Sequence, residues 1–342
     1  MFDLGEAPAA IGGRRVTLNE AIGAAAQLLG AAALPVIAGL RTDAAGAVAA
    51  AALARRLRGV LDHAESEAAL RDFAAMQSAG WVTATPMLVR AEADVVLLVG
   101  DMQAGIDAML ALDRPPRLDE ARRPRRVLRF AIGADVTARL GCLRACVKQR
   151  AFAAPPALAT LAEELRAARY GVVVWAAPAL PALAVEMLCG LIEDLNANTR
   201  FAGMPLPGAG NVAGVAQVLG WETGFPFRVA FRDGVPVHDP WRYEATRLVD
   251  NGEADAALWL DALGEGPPPW RRAVKLVALA PPGARFAAAP EVALAVGRPG
   301  VDHASALFDA AAATLLASGP ATSRGGPPAA DLLDRIAAAL PC

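Results

Sequence analysis

Short runs rich in Val, Ile and Leu alternate along the chain with alanine-rich stretches whose apolar residues recur at helical spacing. Continuous apolar runs between polar turns are strands buried on both faces, and their alternation with helices predicts a parallel α/β sheet. "LPVIAGL" (34–40), "GVLD" (59–62), "ADVVLLVGD" (93–101), "RVLRFAIG" (126–133), "YGVVVWAAP" (170–178), "DAALWLDAL" (255–263) and "VKLVALAPP" (274–282) read as strands. The 93–101 run ends in Gly-Asp, as strands do at the ligand edge of such sheets. Helices are predicted over "VTLNEAIGAAAQLLG", over 43–57 and over the final "ADLLDRIAAAL". In the first, Thr17 with Glu20 three residues on makes a capping box, and Leu18, Ile22, Ala25 and Leu29 share one face. The charge run "DRPPRLDEARRPRR" (113–126) reads as a solvated loop, and 264–272 and 319–330 as proline- and glycine-rich connections.

Composition changes this picture little. The chain has 342 residues and 35.2 kDa, enough for two domains or one interleaved unit. Mean hydropathy is +0.35, much of it from alanine. Residues 22–40 lack charge, yet Gln27, Pro35 and three glycines interrupt them; Glu186 and two prolines interrupt 171–192. Neither stretch reads as a membrane span. The start "MFDLGEAPAA" lacks the basic and apolar regions of a signal peptide. Four cysteines (Cys142, Cys146, Cys189, Cys342) are too few for a disulfide framework, so a reducing cytoplasm is expected. A net charge of −2 gives no case for nucleic acid, and the apolar excess points to partner subunits.

One turn invites a ligand. In "PLPGAGNVAGVAQVLGWETGFPF" (205–227), Gly208, Gly210 and Gly214 stand where a loop enters a helix, and Asn211 is placed to cap it. Free N–H groups at a helix start can bind an anion. The glycine spacing is one residue longer than the dinucleotide fingerprint, and no strand is evident in the preceding "NTRFAGMPLP". A tight turn with close helix packing explains the glycines equally well. Cys142 and Cys146, four apart on a predicted helix, make half a zinc site without a second pair. His63, His238 and His303 are isolated in sequence, no serine sits in a nucleophile elbow, and Glu65/Glu67 and Glu163/Glu164 read as solvated.

The stretch Leu191–Leu260 resembles the B subunit of formylmethanofuran dehydrogenase, a member of the molybdopterin oxidoreductase superfamily. "DLN", "GNVAG", "QVL-W-TG-PF" and "GE-DAAL" carry the likeness, with "GVLD", "QSAG" and "ADVVLLVG" upstream. The resemblance implies interleaved Rossmann-like parallel-sheet domains of the molybdopterin oxidoreductase type without the iron–sulfur domain. It places a discontinuous α/β domain at 14–63 and 211–342 and an inserted α/β domain at 64–210. Redox-active members hold molybdenum or tungsten on two pterin dinucleotides through a cysteine followed by histidine. Aligned without a gap from Asp62 to Gly80, this chain has Ala68 and Ala69 there. Where those members read Arg-Gly-His-Gly-Asn, it reads Pro207-Gly208-Ala209-Gly210-Asn211.

The resemblance therefore implies a vestigial cofactor pocket at Ala68, Ala69, Pro207, Gly208, Ala209, Gly210 and Asn211, with no catalytic residue, metal or cofactor. A B-like subunit without redox parts is found in the formyltransferase/hydrolase complex of methylotrophic bacteria. The implied function is a non-catalytic scaffold in conversion of formyl-tetrahydromethanopterin to formate. The implied partners are an amidohydrolase-like A subunit, a C subunit, a formyltransferase D subunit and a methanofuran-like carrier. Two other readings stay open: a pterin enzyme using Ser66 or Asp72 as metal ligand, and an independent nucleotide-binding α/β protein.

Overall fold

A computed structural model describes residues 2–3, 8–119, 123–264, 266–322 and 326–341, with the side chains of 2, 3 and 177 left aside. Cys342 lies outside the described residues. The chain divides into two compact units. The first comprises Met1–Glu67, Ala209–Phe308 and Leu315–Cys342; the second comprises Ala68–Gly208 and Asp309–Thr314.

The first unit is built on a nine-stranded sheet. Five parallel strands form its centre, in the spatial order Val60–Leu61, Pro35–Arg41, Ala256–Asp261, Lys275–Ala280 and Val292–Ala295. Antiparallel strands Val229–Ala230 and Val237–His238 extend one side, and Ala9–Ile11 with Arg14–Arg15 the other. From strand 35–41 the chain leaves through helix Ala44–Leu57 to strand 60–61 on one side. From strand 256–261 it leaves to strand 275–280 on the opposite side. The carboxyl ends of these two neighbouring strands therefore flank a topological switch point, where open α/β sheets bind ligands. Helix Leu18–Gly30 begins with the expected capping box: Thr17 accepts from the Glu20 amide and Glu20 accepts from the Thr17 amide at 2.8 Å. Asp43 caps helix 44–57 by accepting from the Gly46 amide at 3.0 Å.

The second unit holds four parallel strands in the order Arg126–Phe130, Val95–Val99, Gly171–Ala176 and Phe201–Leu206. Val95, Leu97 and Val99 pack with helices Val136–Val147, Pro156–Arg166 and Ala182–Asn196, while Val96 and Leu98 pack on the other face with Val89 and Ile106. Both faces are covered, so the strand needs an unbroken apolar run. Each such side chain contributes about 1.5–3 kcal/mol on burial.

Two features differ from the sequence expectation. "NTRFAGMPLP" contains strand 201–206, masked in sequence by Gly203 and Pro205. It is the edge strand of its sheet, where proline is tolerated. A Cβ on Gly203 would stand 2.7 Å from the Trp81 ring, so the glycine serves close packing. The charge run 113–126 is not simply a solvated loop. Asp119 and Arg125 are buried, the first against Arg123 and Arg169, the second against backbone carbonyls.

Candidate functional site: the switch point of the nine-stranded sheet

The backbone turns sharply at the end of strand 35–41. Gly39 (φ 84°) and Leu40 (φ 51°) are both left-handed, and the pairing with strand 256–261 shifts register there. The turn brings Arg41, Thr42 and Asp43 to the switch point. Arg41 reaches Glu65 at 3.1 Å and lies 3.9 Å from Asp261. The Thr42 carbonyl accepts from Asn211 Nδ2 at 2.8 Å, and Asn211 Oδ1 accepts from the Phe308 amide at 2.8 Å. Asn211 thus stands at the helix start without capping it. Its own backbone is left-handed (φ 59°), and its side chain ties the loop after strand 35–41 to strand Ser305–Asp309.

This arrangement accounts for two of the three glycines of the turn. A Cβ on Gly214 would fall 2.5 Å from Asn211 Oδ1, so Gly214 makes room for the asparagine side chain. Gly210 takes φ 66°, a region costly for residues with a Cβ, whereas Gly208 does not stand in that region. The strand that precedes the turn counts with the second unit and the helix Val212–Thr223 with the first.

Beside the turn stands a buried polar network. His63 Nδ1 accepts from the Glu65 amide at 3.0 Å, which leaves Nε2 to donate to the Gly210 carbonyl, also at 3.0 Å. The imidazole is therefore the neutral Nε2–H tautomer. Burial pulls its pKa down to about 4. The histidine is a satisfied core residue, 5.6 Å from the Phe227 ring. Next to it Asp62 Oδ2 accepts from the Ala245 amide at 2.9 Å and lies 3.7 Å from Arg228 Nε. Burial pushes the Asp62 pKa up to about 6, with Arg228 opposing the rise. Arg228 itself is buried at φ 51° and donates to Ser66 Oγ, to Glu67 Oε2 and to the Pro240 carbonyl.

The seven positions of the expected pocket divide between the units. Pro207 and Gly208 close the second unit's long segment and Ala68 and Ala69 open it; Ala209, Gly210 and Asn211 belong to the first. Ala68 is buried and Ala209 exposed. The donor set does not fit a pterin-bound metal. Ala68 and Ala69 offer only methyl groups. The Ser66 hydroxyl is taken by Arg228, and the Asp72 carboxylate accepts from Trp175 Nε1 at 3.1 Å within the second unit's core. Burial pushes the Asp72 pKa up to about 6. Among the described residues no three His, Cys, Asp or Glu side chains are grouped to hold a metal ion. Cys142 and Cys146 are free thiols on helix 136–147, with Cys189 buried nearby in the same apolar cluster. No described helix is long and apolar enough to cross a membrane.

Sequence reasoning passed over Asp62, Arg228 and Thr42. An acid-histidine pair directly after an apolar strand, and an arginine inside "FPFRVAF", were the available signals of buried pairing.

Fold and site together define an α/β protein with a network of its own polar side chains at the ligand edge of its sheet. Comparison with known proteins refines this class. No family model matches the chain. The Fhc B subunit of the formyltransferase/hydrolase complex from Methylorubrum extorquens is 34% identical over 315 residues, covering 87% of each chain. The chain belongs to that family. The B subunit of the tungsten-containing formylmethanofuran dehydrogenase 2 of Methanocaldococcus jannaschii is 47% identical over 68 residues, 20% of this chain and 16% of that protein. The crystal structure of the FhcABCD formyltransferase/hydrolase complex from Methylorubrum extorquens, solved with methylofuran, contains a chain that matches with TM-score 0.89 and 32% identity. The match covers 96% of this chain and 98% of that one.

Proposed function

We propose that this chain is the non-catalytic B subunit of a formyltransferase/hydrolase complex. The complex converts formyl-tetrahydromethanopterin to formate through a methanofuran-like carrier in the cytoplasm. The supporting observation is near full-length likeness to a chain of the solved FhcABCD complex. In this reading the two units are the discontinuous and inserted Rossmann-like domains of the molybdopterin oxidoreductase fold. The chain positions an amidohydrolase-like A subunit, a C subunit and a formyltransferase D subunit, and holds neither pterin nor metal. The turn at 207–214 keeps Gly214 for Asn211 and Gly210 for backbone conformation, and the side chains of the redox chemistry are replaced by alanine and proline. Trp221 and Trp241, each 72% exposed on the first unit, are large rings available to partner chains.

Purification from the native host tests the proposal. An A, C and D set should co-elute with the chain, and elemental analysis should find molybdenum and tungsten far below one atom per chain. A stable monomer without those partners, or near-stoichiometric tungsten or molybdenum bound to the chain, would overturn it.

A further inference from the structure

At the carboxyl edge of strands 35–41 and 60–61, a cavity of about 60 Å³ lies within the first unit. Gly39, Asp62, Ser66, Glu67, Trp259 and Trp270 are among its lining residues. Asp62 is 4% exposed, and its Oδ1 has no hydrogen-bond partner. Buried polar atoms are nearly always partnered, so this oxygen marks a place where a donor is missing.

The surrounding groups say what kind of donor fits. Arg228 stands on the Oδ2 side of Asp62 and directs its hydrogen bonds to Ser66, Glu67 and the Pro240 carbonyl. Glu244 faces the cavity too, but its carboxylate accepts from the Thr246 and Arg247 amides. His63 is neutral and donates to the Gly210 carbonyl. The Ser66 hydroxyl hydrogen-bonds the Asp62 carboxylate as well, and Oδ1 is the oxygen left without a partner in the cavity. Trp259 and Trp270 meet edge to face with centroids 5.4 Å apart; indole faces attract cations, and the Arg41 guanidinium already lies 5.8 Å over the Trp259 ring. A hard metal ion wants about six oxygen ligands, and this cavity brings far fewer. Its volume is about that of two water molecules.

We propose that this cavity is a binding site for a small primary ammonium cation, ammonium or methylammonium, with Asp62 Oδ1 as the acceptor and the two indoles as walls. The proposal is independent of the complex to which the chain belongs. It also gives the site a competitor: the proton that burial already favours on Asp62 below about pH 6.

The test is the thermal midpoint of the full chain at pH 8 in ammonium, methylammonium, sodium and tetramethylammonium chlorides at equal ionic strength. A ligand bound only by the folded state raises the midpoint with the logarithm of its concentration above Kd. Ammonium and methylammonium should do so; sodium and tetramethylammonium, which donate no hydrogen bond, should not. Asp62→Asn should erase the difference. If that variant fails to fold, Trp270→Leu should weaken the response, and in the unmodified chain the response should fade between pH 7 and pH 5. Equal midpoints in all four salts would mean a cavity that holds water only, and would overturn the proposal. An ammonium response that survives in Asp62→Asn, or persists undiminished at pH 5, would equally overturn it.

Discussion

Among the described residues two arginines are buried, Arg228 in the first unit and Arg125 in the second, and they are neutralised in opposite ways. Arg228 faces carboxylates, a hydroxyl and one carbonyl at the ligand edge of its sheet. Arg125 directs its hydrogen bonds to carbonyls alone, with the Asp113 carboxylate near enough to favour its charge. It donates to Ala93 at 2.8 Å, Val89 at 2.9 Å and Ala111 at 2.5 Å, with Leu110 and Arg90 at 3.3 Å. Those carbonyls lie at the ends of helices Pro86–Glu92 and Ile106–Leu110, where the helix dipole places partial negative charge; Val89, Arg90 and Ala111 also accept backbone amides. Arg125 is a staple whose hydrogen-bond partners never titrate. Arg228 belongs to a network whose charge balance depends on pH, at the edge where open α/β sheets hold ligands.

Removing each arginine breaks the comparison open. Arg228→Ala leaves Asp62 buried without its cation and should lose about 3–5 kcal/mol of stability in urea denaturation at pH 8. At pH 5 the loss should shrink, because a protonated Asp62 no longer needs the cation. The sign follows from linkage: with a folded pKa of about 6 against 3.8, Asp62 adds stability as pH falls through that window. His63 acts against it, losing stability as pH falls from 6.5 towards about 4. Arg125→Met should lose about 2–3 kcal/mol by removing its hydrogen bonds to helix-end carbonyls, and the loss should change little between pH 5 and pH 8. If the two variants respond alike to pH, the distinction between staple and network fails.

The contrast also explains what could be read from sequence. The parallel sheets were legible because strands such as 95–99 and 256–261 are buried on both faces and so must be apolar throughout. The capping box at Thr17 was legible because it is local. Strand 201–206 was not, since Gly203 answers to Trp81, far away in sequence, and Pro205 is tolerated only through the strand's edge position. The polar network was illegible for the same reason. Asp62 meets Arg228 and Ala245, and Asn211 meets Thr42 and Phe308, through folding alone. The glycine turn was visible at once, but sequence could not say that it holds an asparagine.

A smaller effect sharpens that last point within one helix. Gly214→Ala drives a methyl into Asn211 and should lose about 1–3 kcal/mol through the displaced hydrogen bonds. Gly220→Ala, in the same helix with nothing within 4 Å of the added carbon, should gain about 0.5–1 kcal/mol from helix propensity. Thermal midpoints of the two variants moving in the same direction would refute the reading of the turn.

In the proposed function this chain gives a formyltransferase/hydrolase complex its architecture and none of its chemistry. The most direct measurement is formate released per assembled complex, with assembly scored separately by gel filtration, for Ala69→Ser and Ala209→Ser. These positions stand where the redox relatives are expected to carry histidine, so a working pocket would respond to them. Normal assembly and unchanged turnover are expected. A tenfold fall in turnover by a complex that assembles normally, about 1.4 kcal/mol of lost transition-state stabilisation, would put chemistry in the pocket and contradict the account.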